Sequence, residues 1–143
     1  GIAAVGSSMR QLEKLKEIVK EIGNSDLQRK VNELEVSLSA LEITELRLLS
    51  ELENGGHPRA ESSSLQLQGT EMQQNLAQLC VEAAGEYALM YPGPNGFESN
   101  AKPAGPDYAA HGLSAFLNLR KTSIYGGSNE IQKNILSKFV LGV

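Results

Sequence analysis

The chain has 143 residues, 41% of them hydrophobic and 5% aromatic, with no tryptophan and a net charge of −4. That length suits one domain with a core of its own, and the apolar content excludes a disordered chain. The acidic balance gives nucleic acid no electrostatic footprint, and no apolar run approaches the roughly 20 residues that a membrane span needs. The single cysteine, Cys80, excludes an internal disulfide and a zinc site, and its helical setting predicts a buried, inert thiol. No secretory signal is visible. The first residue is Gly rather than Met, which suggests a processed or excised chain.

From about residue 2 to 22, Val5, Met9, Leu12, Leu15, Val19 and Ile22 recur at spacings of three and four among charged residues. This pattern predicts an amphipathic helix. Gly23-Asn24-Ser25 ends it, and Ser25 with Gln28 has the form of a capping box for the next helix.

The second helix is expected over about 26–53. Leu27, Leu34, Leu41 and Leu48 repeat every seven residues, with Val31, Leu38 and Leu52 as the companion row and Glu45 in its vacant slot. An inward Glu45 needs either rotation toward solvent or a partner such as Arg47 or a neighbouring chain. Val36, Ile43, Leu46 and Leu49 form a second apolar stripe, which predicts contact with more than one neighbour and partial exposure if other domains are absent.

Asn54-Gly55-Gly56-His57-Pro58 is a break. His57 and His111 lie in separate irregular regions, so no metal site is expected. A third helix follows, from about 61 or 64 to 90. Leu65, Met72 and Leu79, with Leu76, Ala83 and Met90, keep the seven-residue rhythm, and Cys80 and Tyr87 lie beside them. The prolines and glycines between about 91 and 107 predict a mobile loop. A short helix is expected around Ser114–Leu119. A last one over about 128–141 puts Ile131, Ile135 and Phe139 on one side, joined by Leu136 and Val140. The expected fold is all-α, an up-and-down four-helix bundle, in a single domain spanning 1–143.

Between the last two helices lies Thr122-Ser123-Ile124-Tyr125-Gly126-Gly127-Ser128-Asn129-Glu130-Ile131-Gln132. It has the form of an approach, a double-glycine turn and a helix start. Ser128 is the expected N-cap and Glu130 suits the positive end of the dipole. The paired glycines allow close approach by a polar or anionic ligand, and an ordinary capped helix after a tight turn accounts for the same residues. The residues alone contain no Ser–His–acid set, metal cluster or complete nucleotide-binding loop.

Residues Ile124 to Leu136, continuing through Lys138 to Val140-Leu141-Gly142, resemble the C-terminal signature of the acyl-CoA dehydrogenase family. Leu65 to Gly85, especially Gln68-Gly69-Thr70-Glu71-Met72-Gln73-Gln74, is similar to the family's third bundle helix. The resemblance implies the C-terminal domain of a larger, three-domain flavoprotein that binds FAD between domains and across a subunit interface. Such enzymes oxidise the Cα–Cβ bond of an acyl-CoA and pass electrons to an electron-transferring flavoprotein. It implies cofactor contacts at Ser128, Asn129 and Glu130, and approach to the acyl thioester at Gly127. The implied location is bacterial cytoplasm or mitochondrial matrix, not secretion.

Three departures qualify what is carried over. Gly126 stands where many members have the Glu that abstracts the α-proton, so no catalytic residue is assigned. Members with a small residue there use a Glu on the helix that opens the domain, whose start falls before Gly1. In place of a Gln and paired glycines that meet a neighbouring flavin, this chain has Glu82-Ala83-Ala84-Gly85-Glu86, where only Gly85 matches. The Arg-x-x-Phe-Gly flavin contact is not found in residues 11 to 30. The expectation is therefore a dehydrogenase domain that is inactive by itself. The alternative is a stand-alone helical interaction module that keeps the bundle without the chemistry.

Overall fold

Gly23 adopts a left-handed φ of 72° and returns its N–H to the Val19 carbonyl, which stops the first helix. Asn24 starts the second, accepting from the N–H groups of Asp26 and Leu27 at 3.0 and 3.1 Å. The expected cap at Ser25 is thus displaced by one residue. Ser25 is already helical, and Gln28 donates to Asn32 instead of closing a box. With Gly23 spent on stopping the first helix, Asn24 is left as the residue in the extended cap conformation.

The computed structural model describes residues 4–57, 60–91, 100, 102 and 104–143. Its α-helices are α1 (Val5–Ile22), α2 (Ser25–Glu53), α3 (Ala60–Ala84), α4 (Gly112–Leu119) and α5 (Asn129–Leu136). Tight 3-10 turns follow α3 at Gly85–Leu89 and α4 at Arg120–Ser123, and Ser137–Leu141 continues α5 as a π-helical turn. No strand occurs among the described residues, so the all-α expectation holds. The four-helix count does not hold, since five α-helices occur among the described residues. Three long helices pack on one another, and the short α4 and α5 both lean on α3. The mobile loop expected over 91–107 falls largely on residues outside those described.

The seam expected from the seven-residue repeat is the core. Leu12, Leu15 and Val19 of α1 bury against Leu27, Val31, Leu34, Leu38, Leu41 and Leu48 of α2 and Leu65, Leu76 and Leu79 of α3. Ion pairs tie the hairpins across that core. Lys16 reaches Glu35 at 2.7 Å, joining α1 to α2, and Lys30 reaches Glu82 at 2.8 Å, joining α2 to α3. The Glu35 hydrogen bond holds the Lys16 ammonium above its usual range, and the Glu82 bond does the same for Lys30. Burial pushes the Cys80 thiol up, with a long contact from the Gln11 amide opposing it.

The extent of the α2 seam, the length of α3 and the buried face of α5 depart from expectation, whereas the exposed α2 stripe and the inward Glu45 follow it. Leu52 is exposed although it continues the α2 seam, and the second stripe (Val36, Ile43, Leu46, Leu49) is 45–72% exposed. Glu45 does turn inward. Its Oε1 is buried with no hydrogen-bond partner, and no ion pair joins it to Arg47 among the described residues. α3 stops at Ala84 because Gly85 takes a φ of 58°, which breaks the register and leaves Tyr87 and Met90 exposed. On α5, Ile131 and Phe139 face solvent, and the buried residue is the polar Gln132.

Leu41 is 2% exposed at the centre of the seam, whereas Leu67 is half-buried off it. Leu41→Ala is expected to destabilise the fold by about 2–5 kcal/mol through a cavity. Leu67→Ala is expected to cost under about 2 kcal/mol. Urea unfolding of the two variants checks the order, and the reverse ranking would place the core on the wrong face of α3.

Candidate functional site

α3 has two working faces. Leu65, Gly69, Leu76 and Leu79 turn toward α1 and α2, and about a quarter-turn away Gln66, Thr70 and Gln74 repeat every four residues. Each of these three polar side chains bonds the segment around the double glycine. Gln66 Nε2 donates to the Gly126 carbonyl at 2.7 Å and the Gly127 carbonyl at 3.2 Å. The Thr70 hydroxyl, 2.8 Å from the Leu67 carbonyl, lies 3.1 Å from the Asn129 side-chain amide. Gln74 Nε2 lies 3.2 Å from the Leu119 carbonyl and 3.2 Å from the Thr122 hydroxyl.

Arg120 locks the same stretch from the other side. Its guanidinium donates to the Gln74 carbonyl at 3.3 Å and stacks 4.3 Å from the Phe116 ring centre. Thr122 is buried and donates to the Leu119 carbonyl. A short, tight segment between α4 and α5 is thereby pinned to α3 at four places, without an apolar core of its own.

The turn itself depends on its glycines. Gly126 has φ 73° and Gly127 has φ 100°, both in the left-handed half of conformational space. A Cβ on Gly127 would collide with the side-chain amide of Gln132, which is buried directly beneath it. A Cβ on Gly126 would stand 3.5 Å from Gln66 Nε2. The Gln132 amide therefore fills the space a side chain at Gly127 would need, whereas at Gly126 the backbone conformation is the constraint.

Because every peptide bond described is trans, a carbonyl and the N–H that follows it point in opposite directions. The carbonyls of Gly126 and Gly127 face Gln66, so the N–H groups of Gly127 and Ser128 face away from α3. Neither makes a hydrogen bond among the described residues. Ser128 caps α5 as expected, its hydroxyl accepting from Ile131 N–H at 3.3 Å. That leaves the first N–H groups of α5, at Asn129 and Glu130, without an intrahelical partner. Ile124, Tyr125 and Ile131 form an exposed apolar rim around this patch of donors.

The predicted positions Gly126, Gly127, Ser128, Asn129 and Glu130 are thus brought together at one edge. Glu130 is exposed. Gln66, Gln74 and Gln132 are what the sequence reading missed. The first two were visible as polar residues at a helical spacing with Thr70, on a face distinct from the leucine seam. Gln132 carried no such signal, because a glutamine inside an amphipathic helix is ordinarily exposed. A groove of about 300 Å³ lies elsewhere, between α2 and α3, with Lys30, Glu33, Gln78 and Glu82 in its lining over a floor that includes Leu34, Met72 and Leu79. It shares no residue with the turn. No cluster of three metal-ligating side chains exists among the described residues, and no helix there is long and apolar enough to cross a membrane.

A long three-helix core, two short helices leaning on α3 and a glycine turn pinned between them describe one known kind of domain. The family model for the acyl-CoA dehydrogenase C-terminal domain matches residues 2–141, and the chain belongs to that family. Among solved structures, the chain is similar to the steroid acyl-CoA dehydrogenase Tcur3481-Tcur3483, with a TM-score of 0.79 at 18% identity. It matches a glycine-to-alanine variant of that enzyme with a TM-score of 0.80 at 17% identity. All of this chain is covered in both cases but only 36% of the other chain, so it spans about a third of their length. At that identity the likeness establishes the fold. No curated protein matches by sequence.

Both glycines are expected to resist substitution, Gly127 more than Gly126. Left-handed backbone costs an L-residue about 1–2 kcal/mol, which both variants incur. Gly127→Ala must also displace buried Gln132. Thermal melts of Gly126→Ala and Gly127→Ala check this, and equal losses would mean that Gln132 yields freely.

Proposed function

We propose that this chain is the C-terminal helical domain of a larger FAD-dependent acyl-CoA dehydrogenase, which oxidises the Cα–Cβ bond of an acyl thioester. The observation that carries the reading is the pinned turn, with N–H donors from Gly127 to Glu130 on an open, apolar-rimmed edge. Its place in the chain is the place of the family signature.

The residues present fit a polar, partly anionic cofactor at this edge. The N–H groups of Ser128, Asn129 and Glu130 lie at the positive end of α5, where the dipole favours negative charge. The Asn129 side-chain amide, 3.1 Å from the Thr70 hydroxyl, lies at the same edge. FAD, when bound, accepts the β-hydride and passes electrons onward to an acceptor such as an electron-transferring flavoprotein. Gly127, with no side chain, lets the thioester approach the backbone. Gly126 has no proton acceptor, so the α-proton goes to a carboxylate from another part of the enzyme. In similar members with a small residue there, that carboxylate is on the helix that opens this domain.

Other surfaces support the reading of a part within a larger assembly. Leu49 and Leu52 are exposed near the end of α2, and Glu45 Oε1 is buried there without a partner. In an antiparallel bundle this end adjoins the start of α3, the same end that carries the turn. Contacts with other subunits fall to the exposed α2 stripe. The alternative of a stand-alone interaction module uses the same stripe, and the two readings part over flavin.

The chain by itself is expected to retain no FAD. One helix terminus contributes about 1 kcal/mol to an anion, far less than holding a dinucleotide requires. The lack of a base at Gly126 removes a further factor of about 10²–10⁴ in rate. The check is to purify the chain in excess FAD, remove free flavin and record the visible spectrum before and after adding acyl-CoA. Stoichiometric flavin that bleaches with substrate would overturn the reading of a partial site. Co-expression with the remaining domains is expected to restore both signals, and failure there would favour the interaction module.

The chain is also expected to self-associate through α2. Sedimentation velocity across a concentration series checks this, with Ile43→Glu and Leu46→Glu expected to hold the protein monomeric. A wild-type chain that stays monomeric throughout would remove the stripe from the assembly.

A further inference from the structure

We propose that Gln66 is the positioning residue of the ligand edge, fixing the double-glycine turn so that the Gly127 and Ser128 N–H groups stay aimed outward. Neither the double-glycine signature nor the leucine seam contains this residue. It lies about sixty positions earlier in the chain.

One amide nitrogen carries two hydrogens, and Gln66 Nε2 spends both, on the Gly126 carbonyl at 2.7 Å and the Gly127 carbonyl at 3.2 Å. Those are successive carbonyls. They belong to the two peptide units that flank Gly127, whose φ is 100°. With both planes set, the two following N–H groups are set as well. A single side chain thus orients two donors that it does not touch.

Gln66 is itself held. It is half-buried on α3, about a quarter-turn from the face that contains Leu65, 0% exposed in the core. α3 is packed against every other helix, so the side chain is mounted on the most constrained element of the fold. Thr70 and Gln74 fix the segment before and after the turn, at Thr122 and Asn129. Among the described residues, only Gln66 bonds the two glycines.

That the oriented edge serves acyl-CoA and flavin rests on the function proposed above, but the orientation itself does not. The test therefore uses neither ligand. The ¹⁵N-labelled chain is studied by NMR relaxation, with amide order parameters at Gly127 and Ser128 as the readout and the melting midpoint as a control. The wild type is expected to show rigid values, about 0.85. Gln66→Leu keeps bulk and removes both donors, and Gln66→Glu keeps shape and replaces donors by acceptors. Both are expected to drop the turn below about 0.6 while α1 and α2 stay rigid.

Gln66→Lys supplies a donor group with no acceptor and is expected to restore rigidity, which a loss of packing would not explain. Leu67→Ala, one residue away and off the polar face, is expected to leave the turn rigid. Order parameters unchanged in Gln66→Leu, or no recovery in Gln66→Lys, would overturn the proposal and leave the dehydrogenase reading standing. A rigid, Gln66-dependent turn in a protein whose full-length form binds no flavin would do the reverse.

Discussion

The fold depends on α3 having two incompatible neighbours at once. One face must bury leucine against α1 and α2, and another must satisfy the backbone of a segment that has no regular hydrogen-bonding partner. A helix can do both because residues three and four apart share a face while residues one apart do not. Leu65 beside Gln66 is that division at single-residue resolution, the first fully buried and the second bonded to two carbonyls. Neutral hydrogen bonds contribute about 0.5–1.5 kcal/mol each, and leaving a buried carbonyl unmet costs more. The polar row on α3 therefore holds the turn through several modest bonds rather than one large one.

This division also explains the unusual seating of α5. A helix with Ile131, Ile135 and Phe139 ought to settle apolar side down. Instead it buries Gln132 and leaves Ile131 and Phe139 open. Its orientation is set at its first residues, where Ser128 caps it, Asn129 bonds Thr70 and the turn is held to α3. Eight residues of helix cannot bury enough to overrule that attachment. The apolar face is then left outward, next to the donors of the turn, and in the proposed enzyme it is a surface for the rest of the assembly.

The core end of the molecule and the site end differ in chemistry for the same reason. Near the α1–α2 turn, ion pairs close the seams: Lys16 with Glu35, and Lys30 with Glu82. At the other end, Glu45 Oε1 is buried without a partner and Leu52 is exposed at a seam position. The two ends of the domain thus differ in how completely their polar and apolar groups are met within the chain.

By itself the sequence determined the helical class, the leucine seam, the Ser128 cap and the glycine turn. Each follows from local spacing or from one residue's conformational range, and the family signature is a continuous string. What only the tertiary structure decided lies where two distant segments compete. Asn24 rather than Ser25 capped α2 because Gly23 had already ended α1. Leu52 and Glu45 kept their heptad phase but lost their neighbours, since a repeat specifies a face and not what stands opposite it. Gln66, Gln74 and Gln132 became part of the site because a glutamine's role is set by which carbonyl it reaches. Two of the three reach across more than forty residues to do so, and no local pattern encodes that distance.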